Sequence, residues 1–396
     1  MDKNKSKQIK INEIHTVEII GYSFDGAGVA KLNSGCVVFV ERAVRGDVCE
    51  VRITKVNPRS CRAEIVRLTK KSEHRIAPDC PVYNKCGGCD FRHISYKEEL
   101  FAKKTRVNDA LKRIGGVKIE TEEVLTAGET DGYRNHIQLK IDCGKVGFYS
   151  AASHTTVDIE SCKLASPNAN RVIRCLREWV RRNDIRGVGT ARIRTSKDGV
   201  MTVLNADKVI TLDSHPYITE VLDGLSFRIS AESFFQVNSA GAEVLYKKAL
   251  EFADLKPHEF LLDLYCGTGT ITLFLGRDAG HALGVESNES AVENARINAE
   301  LNGVHNAEFL CADVSDFDFS GLNPNCVVVD PPRKGLDSRT LRKILEMSPT
   351  RIVYISCDPA TLARDVKLLT GYTVSRVCAV DMFPRTRHVE CVIILE

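Results

Sequence analysis

The chain has 396 residues, 43% of them hydrophobic, enough for two or three packed domains. Lys and Arg outnumber Asp and Glu only 55 to 52, so bulk charge does not mark a nucleic-acid binder, and no apolar run approaches the ~18 residues of a membrane helix. The basic start MDKNKSKQIK lacks the apolar stretch of a secretory signal, and fifteen cysteines in so long a chain suit metal or chemistry better than a disulfide framework. A soluble, cytoplasmic protein is the expectation.

Charge is uneven along the chain. Residues 1–75 hold 15 Lys/Arg against 9 Asp/Glu, and residues 160–200 hold ten against four. Such basic stretches on a near-neutral chain fit an RNA or DNA binder. Residues 12–70 read as all-β. The β-branched runs 17–20, Val37–Val40 and 48–53 are separated by Gly-containing turns such as Asp25-Gly26-Ala27-Gly28 and Asn33-Ser34-Gly35. Several short strands in about sixty residues predict a small OB-like barrel.

A thiol loop follows. Cys80-x5-Cys86-Gly-Gly-Cys89 brings three thiols close in sequence, with glycines that let the chain wrap. Four thiolates suit either zinc or an iron–sulfur cluster, and the spacing does not separate them. Cys162 is the candidate fourth ligand, with Cys143 as competitor. Residues 96–114 then read as an amphipathic helix with Leu100, Val107, Leu111 and Ile114 near one face. Residues 133–230 are mixed, with strands at 135–141 and 191–195. A helix near 170–182 carries Arg174, Arg177 and Arg181 at i, i+3, i+7, so their guanidinium groups share a face that could grip successive phosphates.

From about residue 258 strand and helix alternate, with buried strands expected at Phe260–Leu264, 282–286, 327–330 and 352–356. This is the pattern of a doubly wound α/β sheet. Its first βα turn, Asp263-Leu264-Tyr265-Cys266-Gly267-Thr268-Gly269-Thr270, lets backbone approach a ligand, and Glu286 ends the next strand, where an acid can accept ribose hydroxyls. Thr272 stands where a dinucleotide fingerprint wants a small residue, so a nucleoside cofactor without a pyrophosphate fits better. S-adenosylmethionine is one.

Later strand ends carry the reactive groups: Asp330 before Pro331-Pro332, Cys357 before Asp358-Pro359, and Glu390 before the closing strand 391–395. C5 of uracil is a poor nucleophile in the resting base. A thiolate adding at C6 makes the ring an enolate whose C5 can attack an electrophilic methyl, and a base must then remove the C5 proton. Cys357 suits the first role and Glu390 the second.

The segments SFFQVN (233–238), LLDLYCGTGT (261–270), DPPRKG (330–335), SCDPATLARD (356–365) and FPRTRHVE (383–390) together resemble the RumA/TrmA-like 5-methyluridine RNA methyltransferases over almost the whole chain. The resemblance implies Cys357 as nucleophile and Glu390 as base. It implies Gln236, Tyr265, Thr270, Glu286 and Asp313 as cofactor contacts, and Asp330 facing both cofactor and target base. The family more often has Asn at the position of Asp358.

It further implies a TRAM domain over residues 12–70, a [4Fe–4S] cluster on Cys80, Cys86, Cys89 and Cys162, and RNA as partner. With both TRAM domain and cluster expected, 23S ribosomal RNA leads and tRNA stays open. A catalytically inactive RNA-binding protein of the same build is the alternative outside enzymes. The expected architecture is a TRAM-like β-barrel (1–71), a central α/β iron–sulfur domain (72–230), and an α/β doubly wound class I methyltransferase domain (231–396).

Overall fold

A computed structural model describes residues 9–151, 153–197, 199–205, 209–210, 217–230 and 233–396. The basic stretch 1–8 lies outside the described residues. The chain divides into two compact units, Met1–Arg106 with Arg385–Arg387, and Val107–Pro384 with His388–Glu396. The expected boundaries after residues 71 and 230 fall inside these units.

The first unit opens with six strands: β1 (Ile14–Glu18), β2 (Gly21–Tyr22), β3 (Gly28–Lys31), β4 (Val37–Val40), β5 (Val48–Asn57) and β6 (Ser60–Lys70). They form one sheet in the order β1-β5-β6-β4-β3-β2. β1 and β2 are halves of one bent path. The Ile19 amide donates to Asp47 O (2.9 Å) and the Ile20 amide to Val29 O (2.8 Å). The leading strand thus passes from β5 to β3 and closes the barrel, which removes its free edges. Alternate residues, among them Val17, Val38, Val40, Val51, Ile53 and Ala63, fill the interior.

α1 (Tyr96–Ala110) departs from the expected helix. It gives way to a π-helical turn, Leu111–Gly115, ended by Gly116 in the left-handed region. The wider turn shifts the face presented, so Val107 and Leu111 are buried but Ile114 is exposed. Leu100 is only half-buried. The buried side of the first turns carries charges instead: Glu98, Glu99 and Lys103. Glu98 accepts Arg45 Nε (2.8 Å), Arg45 Nη2 (2.7 Å) and the Tyr22 hydroxyl (3.0 Å). Lys103 Nζ donates to Glu99 Oε1 at 2.7 Å. Buried charge of this kind persists because it is paired and hydrogen-bonded.

The second unit takes over at Val107, within α1; its first strand is β7 (Val124–Thr126), followed by β8 (His136–Asp142), β9 (Lys145–Tyr149), β10 (Thr156–Asp158), α2 (Pro167–Arg182), β11 (Gly189–Thr195), β12 (Val200–Asn205) and β13 (Val209–Ile210). β8 to β13 make an antiparallel sheet in the order β10-β9-β8-β11-β12-β13. Ser166 caps α2, its hydroxyl accepting the Ala169 amide, and Pro167 sits in the first turn, where its missing N–H costs nothing. A hairpin follows, β14 (Tyr217–Leu222) and β15 (Leu225–Ser230), turning through Asp223-Gly224.

The remaining elements alternate as expected: α3 (Ser239–Ala253), β16 (Phe260–Leu264), α4 (Thr270–Gly276), β17 (His281–Glu286), α5 (Glu289–Leu301), β18 (Ala307–Cys311), β19 (Cys326–Val329), α6 (Ser338–Met347), β20 (Arg351–Ser356), α7 (Pro359–Leu368), β21 (Val374–Asp381) and β22 (Glu390–Leu395). With β7 they form an eight-stranded sheet, β18-β17-β16-β19-β20-β22-β21-β7. All pairs are parallel except the two made by β22. Successive strand residues enter opposite cores: Leu261, Val328, Val353 and Ile355 one, Leu262, Val327, Ile352 and Tyr354 the other. Strand order reverses between β16 and β19, the switch point where such sheets bind ligands. Among the described residues no helix is long and apolar enough to cross a membrane.

Candidate active site

The carboxyl ends of the parallel strands converge on one edge of this sheet. β16 leads into the turn 265–269. Tyr265 there has φ +69°, a left-handed conformation that costs a non-glycine residue about 1–2 kcal/mol. The amides of Tyr265 and Cys266 both donate to Val285 O (2.9 and 3.1 Å), which holds the bend. The two glycines behave differently. A side chain at Gly267 (φ +55°) would point into open space, whereas at Gly269 (φ +78°) it would lie 2.9 Å from Ala295 Cβ and the Phe309 ring. Gly267 leaves room for a ligand; Gly269 is required by packing.

Glu286 ends β17. Its Oε2 accepts the Gly267 amide (3.2 Å) and its Oε1 the Asn288 amide (2.8 Å). Asp313 follows β18 and is exposed. Hydrogen bonds from the Ser315 hydroxyl (2.7 Å) and amide (2.8 Å) hold it below the usual carboxylate range. Thr270 opens α4, buried, with its hydroxyl 3.2 Å from that of Thr268. The Tyr265 hydroxyl lies 3.3 Å from Thr340 Oγ1. Gln236 is buried on the segment before α3 and hydrogen-bonds the Tyr246 side chain. That segment is fastened by Asn135, whose amide donates to Val237 O (2.8 Å) and whose Nδ2 donates to Gln236 O (3.1 Å). An open space before Gly267 with two carboxylates at neighbouring strand ends fits a nucleoside cofactor such as S-adenosylmethionine.

Asp330, Cys357 and Glu390 come together one strand further along. Ser356 pairs with Cys391 in the antiparallel ladder of β20 and β22. Cys357, one residue past Ser356, therefore stands beside Glu390, one residue before Cys391. Burial first, then the nearby Glu390 and Asp330 carboxylates, push the Cys357 thiol up to about 11, with Arg333 opposing. Burial and Asp330 push Glu390 up to about 8, and burial pushes Asp330 up to about 7. Acids crowded into one dry pocket cannot all carry charge. A cation arriving there would lower all three.

Asp358 caps α7, its Oδ1 accepting the Ala360 (2.8 Å) and Thr361 (3.3 Å) amides. Asn performs the same cap. At the other end of SCDPATLARD, buried Asp365 accepts the Tyr354 hydroxyl (2.7 Å) and the Leu336 amide (2.8 Å), and Arg364 Nη2 donates to Lys334 O (2.8 Å). The motif that carries the thiol thus also holds the DPPRKG loop that carries Asp330. Sequence reasoning missed Asp263, a fully buried acid of β16 that accepts the Thr272 hydroxyl (2.6 Å) and is pushed by burial up to about 8. An acid inside an apolar strand was its signal.

The expected phosphate grip of α2 needs correcting at Arg177. This side chain is buried, donating to Ile159 O and pairing with Asp158 (3.0 Å). Arg174 and Arg181 remain exposed.

In the thiol loop Cys80, Cys86 and Cys89 are half-buried. The Cys86 amide donates to Val82 O (2.8 Å), and the Gly88 amide donates to Cys86 Sγ (3.4 Å). The Tyr83 hydroxyl is within hydrogen-bond reach of Asp90 O (2.7 Å) and His93 Nδ1 (2.6 Å) and ties the loop's exit. Cys162 belongs to the second unit, its amide donating to Asn170 Oδ1 (2.7 Å). Cys143 is an exposed residue in the β8–β9 turn. Among the described residues no three His, Cys, Asp or Glu side chains meet in metal-binding geometry. The donor chemistry expected of a cluster is present in these thiols.

Residues 191–396 match the family described as tRNA (uracil-5-)-methyltransferase, and residues 8–66 match the TRAM domain. The chain is 37% identical to an uncharacterized RNA methyltransferase of Clostridium tetani, covering 99% of this chain and 98% of that protein. It is 35% identical to a similarly described protein of Halalkalibacterium halodurans, covering 97% of each. Among solved structures it resembles a Pyrococcus abyssi tRNA (uracil-54, C5)-methyltransferase in complex with S-adenosyl-L-homocysteine. The TM-score is 0.77 at 28% identity, covering 96% of this chain and 100% of that one. The barrel, the doubly wound sheet and the matches over both lead to one conclusion: the chain belongs to the S-adenosylmethionine-dependent RNA uracil-5-methyltransferases.

Proposed function

We propose that the chain methylates C5 of a uridine in 23S ribosomal RNA through covalent catalysis by Cys357, with Glu390 as the base. The observation that carries this reading is the adjacency of Cys357 and Glu390 imposed by the Ser356–Cys391 pairing. The Cys357 thiolate adds to C6 of the base, and the displaced C5=C6 electrons form an enolate. Bound S-adenosylmethionine supplies a methyl group on a positively charged sulfur. C5 forms a bond to that methyl as the sulfur–methyl bond breaks. The Glu390 carboxylate then takes the C5 proton, the C5=C6 bond re-forms, and the thiolate leaves. Gln236, Tyr265, Thr270, Glu286 and Asp313 hold the cofactor in this reading, and Asp330 faces the reacting groups.

The choice of 23S ribosomal RNA rests on what the family resemblance implies for a chain with both the TRAM barrel and the thiol loop. A second reading, tRNA, is favoured by the similarity to the Pyrococcus abyssi tRNA enzyme over the full chain. Mapping 5-methyluridine in both RNA classes, in cells with and without the gene, decides between them. Loss from tRNA alone overturns the ribosomal reading, and loss from neither overturns both.

A [4Fe–4S] cluster on Cys80, Cys86, Cys89 and Cys162 is part of this proposal on donor chemistry alone, and no reaction step runs through it. Metal analysis with visible absorption on anaerobically purified protein tests it. Stoichiometric zinc without iron refutes the cluster, and metal lost from Cys143→Ser but kept by Cys162→Ser refutes the fourth ligand.

A further inference from the structure

Three residues of the loop that leads into β22, Arg385–Arg387, belong to the first unit. Their backbone is held at four points. The Arg385 amide donates to Glu99 Oε1 at 2.7 Å. Arg385 O accepts the amides of Asp90 (3.0 Å) and Phe91 (3.1 Å). The Arg387 amide donates to Asp90 Oδ2, and Arg387 Nη1 to Asp90 Oδ1, both at 2.9 Å. Arg387 O accepts Arg106 Nη1 at 2.9 Å. Glu99 is fully buried and is itself fixed by the equally buried Lys103. Arg385 adopts φ +69°, a conformation that persists only where the surroundings over-determine it.

Asp90 is the residue after Cys89, and Glu390 lies three residues beyond Arg387. We propose that Asp90, Glu99 and Lys103 are positioning residues for proton removal: they clamp Arg385–Arg387 and so fix the start of β22, where Glu390 stands. The inference rests on the reading of Glu390 as the base. The thiol loop then has a mechanical task, since its exit residue anchors the segment that delivers the base.

The test compares full-length Asp90→Ala, Asp90→Asn and Glu390→Gln. It measures turnover, RNA affinity, RNA–protein adduct stable to denaturation, and amide hydrogen exchange over residues 385–390. Asp90→Ala is expected to lose about ten- to a hundredfold in turnover, the size of effect of a misplaced catalytic group. RNA affinity should hold within about twofold, a free-energy change well under that of one decade. Methylated adduct should accumulate and exchange over 385–390 should quicken. Asp90→Asn keeps an oxygen for the Arg387 amide and should recover most of the turnover. If Glu390→Gln accumulates adduct and Asp90→Ala does not, the clamp is overturned while the base stands. If Glu390→Gln accumulates none, the base assignment falls and the clamp's catalytic role with it. Unchanged exchange over 385–390 in Asp90→Ala also overturns the clamp.

Discussion

Ser356 and Cys391 face each other across β20 and β22, and the residues next outward, Cys357 and Glu390, inherit that adjacency. In the proposed mechanism these two act on neighbouring carbons of one ring, the thiolate at C6 and the carboxylate on the C5 proton. Glu390→Gln should leave addition and methyl transfer possible and block elimination, so methylated adduct accumulates while turnover falls by about a hundredfold or more. Cys357→Ala should give no adduct and no turnover while retaining the cofactor. Denaturing electrophoresis of labelled RNA with each variant checks both outcomes.

Activity should rise with pH. Burial and neighbouring carboxylates hold the thiol of Cys357 at about 11 and Glu390 at about 8, and in the proposed mechanism both must lose a proton to act. The kcat/KM profile is therefore expected to climb through pH 7 to 9. Adduct formation by Glu390→Gln should have its midpoint at lower pH than wild type, because a carboxylate that opposes the thiolate is gone. A midpoint moved upward would contradict this electrostatic picture.

Stability should run the opposite way. Glu390, Asp330 and Asp263 stand at about 8, 7 and 8 when folded, against about 4 in an unfolded chain. Between those values the native state binds more protons, so stability contributed by these groups is full below pH 4 and lost as pH rises through 8. Glu390→Gln escapes its share of that loss. Its Tm should exceed wild type at pH 8, by about 2–4 °C for each kcal/mol recovered, and match it near pH 5. Calorimetry at the two pH values is the check; lower stability at pH 8 would refute the assignment of burial as the cause.

The two glycines of the cofactor turn should separate binding from folding. Gly269→Ala adds a left-handed alanine and a contact at 2.9 Å with Phe309 and Ala295, costing about 2–4 kcal/mol. Gly267→Ala meets nothing, so its cost is about 1–2 kcal/mol from conformation alone, but its methyl enters the open space. Calorimetric titration should show cofactor affinity weakened about tenfold at 267, with the larger Tm loss at 269.

The grouping of Cys357, Asp330 and Glu390 was legible because strand ends and motif spacing announce it: each stands at a strand terminus. What stayed hidden depends on partners far off in sequence. Arg177 reads as a phosphate grip until Asp158 and Ile159 O claim it. The burial of Glu98, Glu99 and Lys103 on α1 was not legible, because nothing local shows that Arg45 will pair with Glu98 or that the Arg385 amide will donate to Glu99. The π-turn at Leu111–Gly115 breaks the 3.6-residue period on which the placement of Ile114 relied. Asp358, a departure from the family pattern, proves to be a cap that either Asn or Asp can make.

β22 follows β21 in the chain yet lies between β20 and β21 in the sheet. The sheet therefore cannot grow outward in the order of synthesis. β21, and beyond it β7, which comes more than 240 residues before β21 in sequence, reach the sheet only through β22, which must itself lie beside β20. Closing such distant pairings is slow. Partly folded molecules should accumulate with β20 as an exposed, strongly apolar edge. Kinetically, the sheet stays incomplete at its centre until the strand that opens with Glu390 lies beside β20, and catalytic competence waits on that insertion.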